Sequence, residues 1–406
     1  MTSIFAGMSA AAPRPVDPGA TPTAARALAP DLARGGMLLL IALANVHLYV
    51  YGHPIGPRGY PLDLPGADQW VALVQMTLVD GRAYPLFGFL FGYGIVQLAR
   101  RRAAVGLSAD AVTRLVRRRG GWMIAIGAVH GVLLWSGDIV GAYGLIAVAL
   151  AGLLVRGSDR ALLGTAGGGL LLSALFYSTT GFTPPENTTA LLPSMVIENP
   201  AVAAVYRLAE WVIVGFLSQS IAVFAAVALG AWAARRGLLD EPSKHRPLLT
   251  RTAVAGIAVA VLFGLPMALM AAQLWTAPPV ALVVLSGFLH AVGGYAGGLG
   301  YAALFGLLAI RLASGTGPVT SALQACGQRS LSCYLAQSVA FVALLPAWTL
   351  GLGAGAQLWQ TALFAIGAWL VILLVAAASD RAGYRGPAEV LLRRLTYGPR
   401  RATQPA

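Results

Sequence analysis

Charge is what this sequence has least of. Acidic and basic side chains together make up 11% of its 406 residues, against about 25% in soluble domains. With 57% hydrophobic residues, the chain has too little polar surface for water to be its main solvent, and the bilayer takes that place. Cysteine is nearly absent: Cys326 and Cys333 are the two. On one helix they stand about 10 Å apart along the axis, too far to bridge, and no zinc-type spacing surrounds them. A Walker loop, a Rossmann fingerprint, a His-x-x-Glu-His helix and a Gly-x-Ser-x-Gly elbow are all missing. Conventional nucleotide, zinc and serine-hydrolase chemistry therefore has no visible machinery. Residues 1–30, rich in Ala, Pro and Thr, have no uninterrupted apolar core, so they read as a disordered cytoplasmic tail and not as a secretory signal.

What the chain does have is long apolar runs. Taking roughly 20 apolar residues per crossing, about ten membrane helices are expected, near 35–51, 71–98, 121–135, 139–155, 161–180, 211–233, 252–274, 280–310, 331–350 and 358–378. The second is interrupted by Asp80-Gly81-Arg82, and the eighth is long enough to predict a tilt or a kink near Gly293-Gly294. The net charge of +13 does not point to nucleic acid, because the arginines cluster beside the apolar runs. Arg100 to Arg102, Arg114, Arg117 to Arg119, then Arg156 and Arg160, then Arg235 to Arg251, then Arg311 and the arginines of the tail occupy every second loop. The positive-inside rule then puts both termini in the cytoplasm. The fold class is an all-α, polytopic membrane bundle over residues 31–398, with 399–406 as a second tail.

Ionisable groups inside such a bundle are costly, at least about 2.5 kcal/mol for a central charge, and mark candidate sites. Residues 121–143 concentrate three of them. His130 ends one helix, Asp138 follows the break at Ser136-Gly137, and Tyr143 opens the next. A carboxylate that orients an imidazole is the usual arrangement of a general base. The competing reading is a buried neutral histidine bonded to a neighbouring helix. Asp31 and Arg34 share a face at the start of the first helix and can pair, or serve as a cap and an interfacial anchor. Asn45, about 16 Å deeper, suits an oxyanion or substrate amide, or structural hydrogen bonding between helices. His290 sits near mid-depth in the long eighth helix. His47 and His53 read as bystanders near the outer end. Arg329 precedes a polar stripe in which Ser330, Tyr334, Gln337 and Ser338 recur at helical spacing; Gln337 is the best placed of these to touch a ligand.

These residues carry a resemblance. The opening Asp31-Leu32-Ala33-Arg34-Gly35 with Asn45, the run from Pro85 to Gly94, the stretch from His130 to Ile139 with Tyr143-Gly144, Gly327 to Ser338, and Gly386 to Tyr397 resemble the YeiB-like family of bacterial membrane proteins. That family is similar to a wider superfamily of transmembrane acyltransferases. The resemblance implies the bacterial inner membrane, an acyl-CoA donor in place of a resident cofactor, a cell-envelope sugar or lipid as acceptor, and no metal. For an enzyme of that kind, the chemistry of the residues themselves suggests substrate contacts for Asp31, Arg34, Arg329, Tyr334, Gln337 and His290, with the donor phosphates on Arg34 and Arg329, and a catalytic set of His130, Asp138, Asn45 and Tyr143. One departure stands out. The heparan-type enzymes place a histidine eleven residues after the helix-one asparagine, and Gly56 occupies that position here. The base is therefore assigned to His130 from its own surroundings. A transporter or flippase for an anionic or sugar-lipid substrate would use the same polar groups as a binding site and proton relay.

Overall fold

The computed structural model describes residues 27–398 apart from 186, 314 and 316. Of the tail expected over 1–30, residues 1–26 lie outside the described residues, as do Glu186 and the arginines at 400 and 401, while Leu28 to Pro30 already belong to the first helix. The architecture is all-helical. The helices are α1 (Leu28–Val46), α2 (Ala67–Leu78), α3 (Ala83–Ala104), α4 (Ala109–Leu133), α5 (Val140–Arg156), α6 (Asp159–Tyr177), α7 (Pro200–Glu210), α8 (Gln219–Arg235), α9 (Arg246–Ala271), α10 (Val280–Arg311), α11 (Pro318–Gln328), α12 (Ser330–Leu344), α13 (Leu358–Arg381) and α14 (Pro387–Tyr397). Extended pairing among the described residues is limited to the isolated bridges Tyr51–Ala354 and Ile55–Pro61. Among the described residues, six helical stretches are long and apolar enough to cross a membrane: 28–49, 159–181, 200–235, 242–271, 280–311 and 358–381. The protein is a multi-pass helical membrane protein.

Several boundaries differ from the sequence reading, each for a local reason. The second run is two helices. Gly81, at φ 79°, adopts the left-handed backbone that a side chain disfavours, and the turn it makes separates α2 from α3. The arginines at 114 and 117–119 are inside α4, not in a loop. Ser108 caps that helix by accepting the amide of Ala111 at 3.3 Å, so the helix starts three turns before its apolar part. The sixth run continues back to Pro200 through a π-helical stretch, Trp211–Ser218. The long eighth run is one helix, α10, unbroken through Gly293 and Gly294, whose missing side chains make room for Phe263 and for the backbone of Gly81. The short helices α11 and α14 were not expected.

The two ends of the bundle are built differently. At one end the basic segments are tied by ion pairs: Arg156 with Asp110, Arg236 with Asp159 at 2.9 Å, and Arg100 with Asp240 at 3.8 Å. Gln97 Nε2 also donates to Asp240 at 2.6 Å. Exposed pairs of this kind add little stability; what they do is join the ends of α3, α4, α5, α6 and α8. At the other end the long connections hold one another by backbone hydrogen bonds. The amides of Tyr51, Gly52 and Ile55 donate to Gly353, Thr189 and Thr188 at 3.1–3.2 Å. Asp68 accepts the first amides of α13, Leu358 at 3.1 Å and Trp359 at 2.9 Å.

Between these ends, packing relies on close backbone approach, as expected where lipid supplies no hydrophobic drive between helices. One of the tightest crossings is α3 on α8. A Cβ on Gly230 would overlap the carbonyl of Phe89, and one on Gly92 would overlap that of Val227. Gly230→Leu is therefore expected to destabilise the protein by about 1–3 kcal/mol, the usual cost of overpacking, read as a lower thermal midpoint in detergent. An unchanged midpoint would mean that this crossing relaxes at no cost.

Candidate functional site

The chain break between α4 and α5 is organised by one carboxylate. His130 stands in the last turn of α4, and its carbonyl accepts the amides of Leu134 and Trp135 at 2.8 and 3.0 Å, closing the helix. Asp138 Oδ1 accepts Nδ1–H of His130 at 2.8 Å, and Oδ2 accepts the amide of Gly141 at 2.7 Å, where α5 begins. The pair is buried, with 3% and 0% of the residues exposed. A carboxylate only accepts, so the bond fixes the proton on Nδ1 and leaves the lone pair on Nε2. Nε2 is buried and has no hydrogen-bond partner.

A second carboxylate clamps the break from outside. Glu210, at the end of α7, accepts Ser136 Oγ at 2.7 Å and both the amide and hydroxyl of Ser194 at 2.8 and 2.7 Å. The π-helical stretch that follows brings Gly215 against the carbonyl of Ser136. Such stretches often occur at functional sites. Trp135 stacks on Tyr49 at 4.5 Å. Sequence reasoning passed over Glu210, because the apolar run was read as starting at Trp211. The available signal was Arg207 and Glu210, spaced i, i+3 against that run.

On the other side of the pair is a cavity of about 380 Å³, within the usual range for ligand sites. The ring of Tyr334 lies on its wall, with its centroid 5.2 Å from that of His130. Tyr143 also lines it. Its ring stacks with Phe91 at 5.0 Å and Phe87 at 6.1 Å, and its hydroxyl donates to the carbonyl of Tyr84 at 3.4 Å. Ile41, Ile139 and Val140 complete the apolar depth. Toward the basic end the wall becomes cationic, with Arg34, Arg101, Arg119 and Arg393, beside Asp31 and Glu389. Arg34 pairs with Asp31 at 3.2 Å and donates to the carbonyl of Leu90 at 3.3 Å.

The C-terminal helix α14 is part of this wall. Glu389 Oε1 accepts the amides of Leu331 and Ser332 at 2.8 and 3.2 Å, and Oε2 accepts Ser332 Oγ at 2.5 Å. It thus satisfies the free N–H groups at the start of α12, the helix that carries Tyr334.

The expected site residues divide into those on the cavity and those away from it. Asp31, Arg34, Tyr143 and Tyr334 line it, and His130 and Asp138 stand directly behind Tyr334 and Ile139. Arg329 does not line it. Its guanidinium donates to Asp380 at 3.0 Å and to the carbonyls of Tyr384 and Ala325, holding the turn between α13 and α14. Gln337 is buried, with its amide on the carbonyl of Leu38 at 2.8 Å. Asn45 is half-buried near the end of α1 and is not on the cavity wall. His290 belongs to a separate polar centre. There the fully buried Arg82 contacts His290 Nδ1 at 3.1 Å and donates to the carbonyl of Ala260 at 2.7 Å. Beside it, Arg58 makes a two-bond pair with Asp80 at 2.7 and 2.8 Å. Arg58 has a φ of 56°, a strained backbone that this pair helps to hold. His47 stacks on Tyr60 at 4.2 Å, and His53 pairs with Asp63 at 2.9 Å on the exposed loop.

The fold and this site define a multi-pass membrane protein with a buried histidine–carboxylate pair beside a cavity of cationic mouth and aromatic depth. Residues 233–399 match the family described as "Protein of unknown function (DUF418)". The chain is similar to Uncharacterized protein YxaH of Bacillus subtilis (strain 168), at 26% identity over 259 residues, 57% of this chain and 63% of YxaH. It is also similar to Uncharacterized protein YeiB of Escherichia coli (strain K12), at 30% identity over 120 residues, 29% of this chain and 28% of YeiB. The chain thus spans less than two thirds of either relative. These matches support the YeiB-like family that the motifs implied.

Asp138→Ala removes the acceptor of two buried N–H groups. It is expected to cost about 1–3 kcal/mol for each donor left unsatisfied, read as the fall in thermal midpoint. Tyr143→Phe, which removes only the 3.4 Å contact, is expected to change the midpoint much less. Equal effects would sink the organising role given to Asp138.

Proposed function

We propose that this protein is an acyltransferase-like enzyme of a bacterial cytoplasmic membrane that takes an acyl group from acyl-CoA and passes it to a hydroxyl acceptor of the cell envelope. The observation that carries the reading is the cavity. It connects a cluster of arginines, suited to phosphate groups, to an aromatic depth one ring away from the His130–Asp138 pair. The resemblance in sequence to transmembrane acyltransferases points the same way.

In this reading the donor's phosphates rest on Arg34, Arg101, Arg119 and Arg393, and its thioester reaches Tyr334. The Tyr334 ring, which separates His130 from the cavity, swings aside in this reading; His130 Nε2 then takes the proton of the acceptor hydroxyl, and the oxygen attacks the thioester carbonyl. The C–S bond then breaks, and the departing thiolate takes the proton from His130. Asp138 keeps the imidazole in the one tautomer that can do this and stabilises its charged form. Tyr143 and Tyr334 supply hydroxyls near the developing oxyanion.

The same reading sets the topology. The six long apolar helical stretches, with α3, α4, α5 and α12, make ten crossings. The ion-paired basic end, the cavity mouth and both ends of the described chain lie together, and the positive-inside rule puts that end in the cytoplasm, where acyl-CoA is found.

The test is donor binding by the full chain in detergent. Free CoA and acetyl-CoA are expected to raise the thermal midpoint by a few degrees as concentration increases. Arg119→Ala is expected to weaken the apparent affinity about tenfold, as loss of charge-assisted contacts does. No shift with either ligand, in protein that melts cooperatively, would overturn the acyltransferase reading and favour transport of an anionic or sugar-lipid substrate.

A further inference from the structure

The cavity is deep. Phe87 and Arg101 both lie on its wall and both belong to α3. Fourteen residues of helix separate them, about 21 Å at helical rise.

The depth is closed by rings that are themselves held. Phe87 is the deepest cavity residue of α3. It stacks on Tyr143, with centroids 6.1 Å apart and planes at 11°, and the hydroxyl of Tyr143 is tied to the carbonyl of Tyr84. Ile41 is the deepest cavity residue of α1, and Val140, with Ile139 just before it, is the deepest of α5. A donor anchored by its phosphates at Arg101 and Arg119 fills most of this length with its linear pantetheine arm. Little depth is then left for what the thioester carries.

We propose that Phe87, fixed by Tyr143, is the stop that limits the donor's acyl group to a short chain. The proposal rests on the donor reading above, and names the part of the donor that the cavity selects. Phe87 acts here by occupying space, not by chemistry, so its effect is on chain-length preference and not on binding of the nucleotide end.

The experiment compares free CoA with acetyl-, butyryl-, hexanoyl- and octanoyl-CoA by thermal midpoint, for the wild type and for Phe87→Ala, in the full chain. The wild type is expected to bind acetyl- and butyryl-CoA more tightly than free CoA, and octanoyl-CoA no more tightly than free CoA. Phe87→Ala is expected to gain about tenfold in affinity for octanoyl-CoA, the worth of burying about two methylenes, with free CoA unchanged. If Phe87→Ala does not melt cooperatively, Phe87→Leu, closer in volume, is expected to move the preference in the same direction by a smaller step. The same length profile in wild type and variant would overturn the stop and leave the donor reading standing. So would a wild type that binds octanoyl-CoA best. Binding of no CoA species by folded protein would overturn both.

Discussion

The structure around the cavity depends on one buried carboxylate. Asp138 accepts from His130 at the end of α4 and from Gly141 at the start of α5, so a single side chain closes one helix and opens the next. An irregular segment inside an apolar bundle must find hydrogen bonds for its own polar groups. Here it finds them in Asp138 and, from the next layer, in Glu210. The constraint that makes the break tolerable also sets the imidazole's tautomer. Structural necessity and chemical readiness therefore come from the same bond.

The wall of the cavity shows a similar economy. α14 is short and follows the last long apolar helix, yet its Glu389 satisfies the exposed amides at the start of α12. α12 in turn carries Tyr334 to the wall, one ring from His130. Arg329 holds the turn leading into α14. The position of Tyr334 thus depends on the C-terminal segment, although the two are separated by the whole of α13. The close crossing of α3 on α8, made by Gly92 and Gly230, fixes the opposite wall, from which Phe87 and Phe91 project.

Two buried polar centres divide the molecule. The His130–Asp138 pair adjoins a cavity. The Arg82–His290 contact and the Arg58–Asp80 pair sit among tightly packed backbone, with Gly264 and Gly297 in contact with the arginine itself. Buried charge is costly in both places, and it is the first that adjoins the cavity of about 380 Å³. That difference is what makes the first histidine the candidate for chemistry.

The sequence by itself determined the solvent, the all-helical class and the grouping of basic segments, because apolar length and arginine placement are local properties that each segment carries alone. It also brought His130 and Asp138 together, since eight residues across a glycine break leave little freedom. It marked Asp31, Arg34, Tyr143 and Tyr334 through their cost in lipid. Tertiary structure decided the rest. Arg329 and Gln337 have the same polar signature as Arg34 and Tyr334, and only the packing of α13, α14 and α1 shows that they are spent on backbone carbonyls and Asp380. Arg58 finds Asp80, and Glu210 finds Ser136 and Ser194, across distances in sequence that no periodicity reports. The cavity itself is a property of six helices and α14 meeting at once, and a linear pattern does not record the space left between them.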